Sequence, residues 1–247
     1  MVMQAKDKII VALDVDSLDK VRNLVKILAP FVWCFKIGLE LLTIFGAPRI
    51  VRLVQSLGGQ VFYDGKFDDI PNTVGSASKA AAALGVKMFN VHASCGVEAM
   101  AKAVENKGNS LVLAVTVLTS LDKCEAELIF GAPIENKVLQ LALYAMTAGC
   151  DGIICSPQEL RIFERPKGQK GLLKVTPGVR PEWAVVGDQK RIMTPYEAIK
   201  AGADYLVIGR PITNPPIGMT PVDAAKKIAE EIAEALKEVN GECISAT

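Results

Sequence analysis

The chain has 247 residues, 50% hydrophobic and 22% charged, which is enough apolar material for one large core and enough charge for a solvated surface. Its formal net charge of +1 excludes a global field that would draw it to nucleic acid or to an anionic membrane, so any anionic ligand has to be gripped by local groups. No stretch reaches the ~20 apolar residues of a membrane span, and six cysteines without a Cys-x-x-Cys pair, beside the single His92, make no convincing metal site and read as reduced thiols of a cytoplasmic protein.

From the N-terminus, apolar runs that read as strands alternate with amphipathic stretches that read as helices. Strands are expected over 8–15, 32–38, 60–66 and 88–93, followed in turn by helices over 18–28, 50–57, 73–84 and 97–105. A strand over 111–118 leads towards a helix over 136–148, and strands over 152–156, 172–178 and 205–209 follow. The last helix, over 221–239, carries Ala, Ile and Leu at helical spacing with Lys and Glu opposite. The strands are continuous Val/Ile/Leu runs, as in a parallel sheet buried on both faces. Eight alternations point to a single-domain (β/α)8 barrel over 1–239, although an open doubly wound sheet shares much of the pattern; 240–247 reads as a frayed, disordered tail.

In such a barrel the active site lies at the C-terminal ends of the strands. Asp14, Lys36, Asp64, Lys66, His92, Thr119, Arg180 and Arg210 all fall there, where a charge is costly unless it is paired or used. Asp64 and Lys66 are two apart on one expected strand, so both side chains are expected on one side, at the barrel mouth. Asp69 follows in the loop, and Pro71 suits the opening turn of the next helix. Two lysines and two aspartates, Lys36, Lys66, Asp64 and Asp69, can alternate in sign and keep a lysine protonated. On spacing alone the same set serves equally as a salt-bridge network at the rim.

The stretch from Asp64 to Thr73 resembles the Asp-x-Lys-x-x-Asp-Ile-Pro-Asn-Thr signature of the orotidine 5'-phosphate decarboxylases. Val11-Ala12-Leu13-Asp14, Phe35-Lys36-Ile37-Gly38, Asn90-Val91-His92-Ala93, Val115-Thr116-Val117-Leu118-Thr119-Ser120, Thr176-Pro177-Gly178-Val179-Arg180-Pro181, Asp188-Gln189-Lys190-Arg191 and Ile208-Gly209-Arg210-Pro211 resemble that family too, in its order, across roughly 8–238. One departure is Asp68, where many bacterial members carry histidine.

The resemblance implies decarboxylation of orotidine 5'-phosphate to UMP, with no cofactor and no metal. It implies a catalytic array of Lys36, Asp64, Lys66 and Asp69, in which Lys66 protonates the C6 carbanion. It also implies a homodimer in which Asp69 and Thr73 complete the partner's site, with Ile70 among the substrate-binding residues. Asp14 is expected on the ribose, Thr119 on the pyrimidine, and Arg180, Gln189, Gly209 and Arg210 on the phosphate, under a lid formed by 179–191. His92 is expected to be structural. Two alternatives stay open: the related keto-gulonate phosphate decarboxylases and hexulose phosphate synthases, which use magnesium and an additional acidic ligand, and a nucleotide-binding barrel without catalysis.

Overall fold

The structure, a computed structural model, describes residues 4–163, 171–184 and 193–241. Eight strands close a barrel in chain order: β1 (Ile9–Ala12), β2 (Cys34–Ile37), β3 (Val61–Phe67), β4 (Met88–His92), β5 (Leu111–Val115), β6 (Gly152–Ile154), β7 (Leu173–Thr176) and β8 (Tyr205–Ile208). Every pairing is parallel, and β8 closes on β1 through Ile9↔Leu206, Ile10↔Val207 and Val11↔Ile208. The closed barrel, not the open sheet, is therefore the architecture. Closure leaves no sheet edge unpaired.

Alternation along each strand divides the apolar residues between two cores. Ile10, Ala12, Cys34, Phe62, Met88, Leu113, Val175 and Val207 fill the barrel interior. Ile9, Val11, Phe35, Ile37, Phe89 and Val91 point outward to the helical layer. Each large side chain buried in this way contributes about 1.5–3 kcal/mol. At the N-terminal end of the strands, Trp33 stacks on Tyr205 with ring centroids 4.3 Å apart. Gly152 permits the tight β6–β7 approach, since a Cβ there would lie 2.6 Å from the Leu173 carbonyl oxygen.

The helices are α1 (Leu18–Leu28), α2 (Leu39–Phe45), α3 (Ala47–Ser56), α4 (Pro71–Ala83), α5 (Val97–Glu105), α6 (Lys123–Phe130), α7 (Ile134–Thr147), α8 (Pro195–Lys200), α9 (Arg210–Thr213) and α10 (Pro221–Asn240). Their starts follow ordinary capping chemistry. Ser17 accepts from the Lys20 N–H, Thr220 and Asp223 form a capping box, and proline opens α4, α8 and α10. Helix α10 runs through Asn240, the first residue of the expected 240–247 tail, and ends at a left-handed Gly241; 242–247 lie outside the described residues. Most expected strands overran the observed ones by one to a few residues at one or both ends, whereas the third, expected over 60–66, runs one residue further, to Phe67. The short helices α2, α6, α8 and α9 were not expected, being too brief to show a helical period.

Candidate active site

A cleft of about 510 Å³ opens where the strands end, and its walls come from different strands. Asp14 follows β1, Lys36 lies on β2, Asp64 and Lys66 on β3, and Thr119 follows β5. Val115, Val117, Leu118 and Ile154 supply an apolar wall, and Arg180, Gly209 and Arg210 close the far end. Along β3 the inward positions run from apolar to charged: Phe62 belongs to the barrel interior, while Asp64 and Lys66 reach the cleft.

The charged residues form a chain of alternating sign. Lys36 Nζ lies 3.2 Å from Asp14 Oδ1 and 3.1 Å from Asp64 Oδ2, and Lys66 Nζ lies 2.7 Å from Asp64 Oδ1. The Asp64 side chain is only 8% exposed and that of Lys36 14%, so each charge depends on its neighbours for the solvation it has lost. Burial pushes the Asp64 carboxyl upward, but Lys36, Lys66 and a hydrogen bond from Asn90 outweigh it and hold the group below its ordinary value. Burial likewise pulls the Lys36 ammonium down, and Asp64 with Asp14 more than restores it. Both groups stay ionised at neutral pH.

The backbone of β3 departs from simple alternation here. The β3–β4 register shifts between Tyr63 and Phe67, and Lys66 has φ of 49°, so the lysine reaches the mouth through a bulge rather than by period two. Gly65 inside this bulge lies under the Tyr63 ring.

At the other end Arg180 is buried, and burial, then the like charge of Arg210, pushes its guanidinium below its ordinary value. Two neighbouring guanidiniums suit a phosphate, whose charge relieves their repulsion and whose oxygens match their donors. Gly209 leaves the backbone open beside Asp14: a Cβ there would lie 3.5 Å from Asp14 Oδ2.

Of the residues singled out in the sequence, Asp14, Lys36, Asp64, Lys66, Thr119, Arg180, Gly209 and Arg210 are gathered in one cleft. Asp69, Ile70 and Thr73 are exposed and line no part of it, and Asp69 Oδ1 accepts from the Ile70 N–H at 2.7 Å. Gln189, and with it the 188–191 motif and most of the expected lid, lies outside the described residues. His92 is half-buried beside the array; burial pushes its imidazole below the ordinary value, with Asp68 pulling the other way. Asn90 was not singled out, yet it bonds to two members of the array. Among the described residues, no three His, Cys, Asp or Glu side chains are grouped to hold a metal ion.

Comparison with known proteins gives a consistent result. A family model described as "Orotidine 5'-phosphate decarboxylase / HUMPS family" matches residues 7–228. The orotidine 5'-phosphate decarboxylases of Geotalea daltonii and Geotalea uraniireducens are 48% and 49% identical to this chain, each over 237 residues, covering 93% of it and 97% and 96% of theirs. The crystal structure of orotidine 5'-phosphate decarboxylase from Lactobacillus acidophilus superposes with a TM-score of 0.77 at 32% identity, covering 92% of this chain and 99% of that one. The one from Pyrococcus horikoshii OT3 superposes with a TM-score of 0.73 at 26% identity, covering 91% and 99%.

Proposed function

The chain belongs to the orotidine 5'-phosphate decarboxylase / HUMPS family, and from that premise we infer that it converts orotidine 5'-phosphate to UMP and CO2, a step of pyrimidine biosynthesis. The observation that carries the reading is the alternating array at one end of the cleft with two guanidiniums at the other. One ligand then has its reacting ring at the array and its phosphate at the arginines.

The chemistry assigns the roles. Breaking the C6–carboxylate bond releases CO2 and leaves an electron pair in the plane of the pyrimidine, where no ring carbonyl can delocalise it. The Lys66 ammonium stabilises that charge as it develops and then donates a proton to C6, giving UMP; the resulting amine regains its proton from solvent. Asp64, 2.7 Å from Lys66 Nζ, holds the ammonium aimed through their ion pair. Lys36 balances Asp64 and, with Asp14, faces the ribose. Thr119 serves the pyrimidine, while Arg180, Arg210, Gly209 and Gln189 serve the phosphate.

Both oxygens of Asp64 already accept from ammonium groups, Lys66 on Oδ1 and Lys36 on Oδ2. A divalent cation at this carboxylate would have to displace them. That donor pattern favours the nucleotide reaction over the magnesium-dependent sugar-phosphate chemistry of the family's other members.

We propose further that two copies pair, each lending Asp69, Ile70 and Thr73 to the other's cleft. Support comes from exposure: Ile70 is 67% exposed, and Leu128, Ile129, Leu143 and Met146 on α6 and α7 leave further apolar surface uncovered. A cytoplasmic setting is supported by the thiols. All five described cysteines are free, and burial pushes those of Cys150 and Cys155 up to about 12.

Ultraviolet assay of orotidine 5'-phosphate turnover, with and without EDTA, tests the activity. Conversion to UMP that ignores the chelator is expected. No conversion, or conversion that requires added magnesium, would overturn the reading.

A further inference from the structure

The β3–β4 ladder is in register at Tyr63↔Phe89 and again at Phe67↔Val91. Between those pairs, Asp64, Gly65 and Lys66 of β3 stand against Asn90 alone on β4. A mismatch of three against one leaves backbone groups without ladder partners, and it falls at the two residues assigned to the chemistry. Lys66 is the only non-glycine residue with positive φ among the described residues, and such a conformation persists only where the surroundings enforce it.

Asn90 supplies that enforcement. It is fully buried, its side-chain carbonyl oxygen accepts from the Lys66 backbone N–H at 2.7 Å, and its Nδ2 donates to Asp64 Oδ1 at 2.6 Å. The amide orientation follows from its partners, since a backbone N–H needs an acceptor and a carboxylate needs a donor. Two residues earlier on the same strand, the inward position is the apolar Met88. An amide at the next inward position is costly unless both of its ends are satisfied, and here both ends go to the array. Asn90 lines no part of the cleft and acts on it through its bonds to Asp64 and Lys66.

We propose that Asn90 is a positioning residue for the decarboxylation: it closes the β3 bulge so that the Lys66 ammonium and the Asp64 carboxylate are held together at the reacting end of the cleft. The inference rests on the decarboxylase reading. Without the acceptor, Lys66 is free to return to extended backbone, which carries its ammonium away from Asp64. Without the donor, Asp64 loses one of the three groups that stabilise its charge.

The test uses the full chain and two substitutions, Asn90→Leu, which removes both bonds, and Asn90→Asp, which keeps the shape and the acceptor but sets a carboxylate against Asp64. Turnover across pH, UMP affinity by calorimetry, and thermal unfolding are measured for each. The groups that face Asp64 are Lys36 from β2 with Asp14 behind it, Lys66 on its own strand, and Asn90 and His92 from β4. All except Asn90 are unchanged in the variants. The expected result is a fall in kcat of about 100-fold, as for a small misplacement of a reacting group, with UMP affinity retained. The acid limb of kcat moves to higher pH in both variants and further in Asn90→Asp, because neighbouring carboxylates resist joint ionisation. If kcat and its pH profile match wild type, the inference fails. It fails equally if kcat and UMP affinity fall together with a lowered unfolding temperature while the acid limb stays in place, since that is the signature of general damage. Should Asn90→Leu fail to fold, the isosteric Asn90→Asp decides alone. A wild-type chain that binds UMP but does not decarboxylate the substrate would instead sink the assigned activity, and this inference with it.

Discussion

A Cβ atom on Gly65 would sit 2.3 Å from Cε1 of Tyr63, so the Tyr63 ring occupies the space that a side chain at position 65 would need. Gly65 is not at positive φ, and the requirement for glycine is therefore steric. Tyr63 in turn packs at 5.6 Å from the Phe67 ring, which packs at 5.9 Å from Phe89. This aromatic row backs the bulge on the side away from the cleft. Gly65→Leu is expected to cost about 1–3 kcal/mol through overpacking. Pairing it with Tyr63→Ala should return part of that loss, because the leucine then fills the vacated space. A double-mutant cycle on thermal or denaturant unfolding should give a favourable coupling of about 1 kcal/mol or more; additive effects would show that the two residues do not compete.

Lys66→Ala is expected to reduce kcat by at least about 1,000-fold, since on the proposed mechanism it removes both the ammonium that stabilises the carbanion and the proton donor. UMP should still bind, because the arginines and the apolar wall remain. Asp64 keeps Lys36 at 3.1 Å and Asn90 at 2.6 Å, so the fold should survive the loss. Turnover near the wild-type rate would remove Lys66 from the mechanism.

Arg210→Ala should weaken phosphorylated ligands by about 2 kcal/mol, the scale of one hydrogen-bonded charge pair. It should leave the affinity for uridine, which lacks the phosphate, nearly unchanged. Calorimetry with UMP and uridine side by side reads the difference. Equal losses for both ligands would mean that the phosphate lies elsewhere.

Asp69 and Lys66 should complement each other across chains. Lys66→Ala and Asp69→Ala variants, each with little activity alone, are mixed under conditions that allow subunits to exchange. A mixed dimer then contains one site with both residues intact. Activity should reappear on mixing, and its absence in a demonstrably exchanged sample would show that Asp69 acts within its own chain or not at all.

The half-buried His92 provides a pH test. Its imidazole is pushed below 6.5 in the folded chain by burial, so the unfolded chain binds the proton more readily. Stability is therefore complete above the unfolded value and declines as pH falls through 6.5 towards the folded value. His92→Gln should flatten the dependence of unfolding temperature on pH as pH falls through 6.5. Asp68→Asn should steepen it, because Asp68 is the larger of the two carboxylates that raise the His92 value, Asp64 being the other. Parallel curves for all three proteins would contradict this account.

The eight strands were legible because each opens on, or is dominated by, a short run of apolar residues between helical stretches, even where charged residues such as Lys36, Asp64 and Lys66 sit within it. Their ends identified the cleft: Asp14, Lys36, Asp64, Lys66, Thr119, Arg180, Gly209 and Arg210 all line it. Three things were not legible in that way. Asp69, Ile70 and Thr73 are exposed and line no part of the cleft, and only the family resemblance gives them a task. The route by which Lys66 reaches the mouth was expected from strand alternation, whereas it runs through a bulge, and period-two patterning carries no mark of an inserted pair of residues. Asn90 was passed over for the same reason, since its two bonds exist only because the opposing strand is out of step.

The arrangement of charge along the cleft also bears on how a ligand arrives. The alternating row from Asp14 to Lys66 nearly cancels itself at a distance, while Arg180 and Arg210 add. Within roughly the Debye length of the cleft, about 8 Å at physiological ionic strength, an approaching nucleotide senses mainly the arginine end. Its doubly charged phosphate is steered there first, and the ring meets the lysines only after the molecule is tethered. Added salt should therefore slow capture and lower kcat/KM, yet leave kcat almost untouched, because the reacting end works at contact distances where mobile ions do not enter.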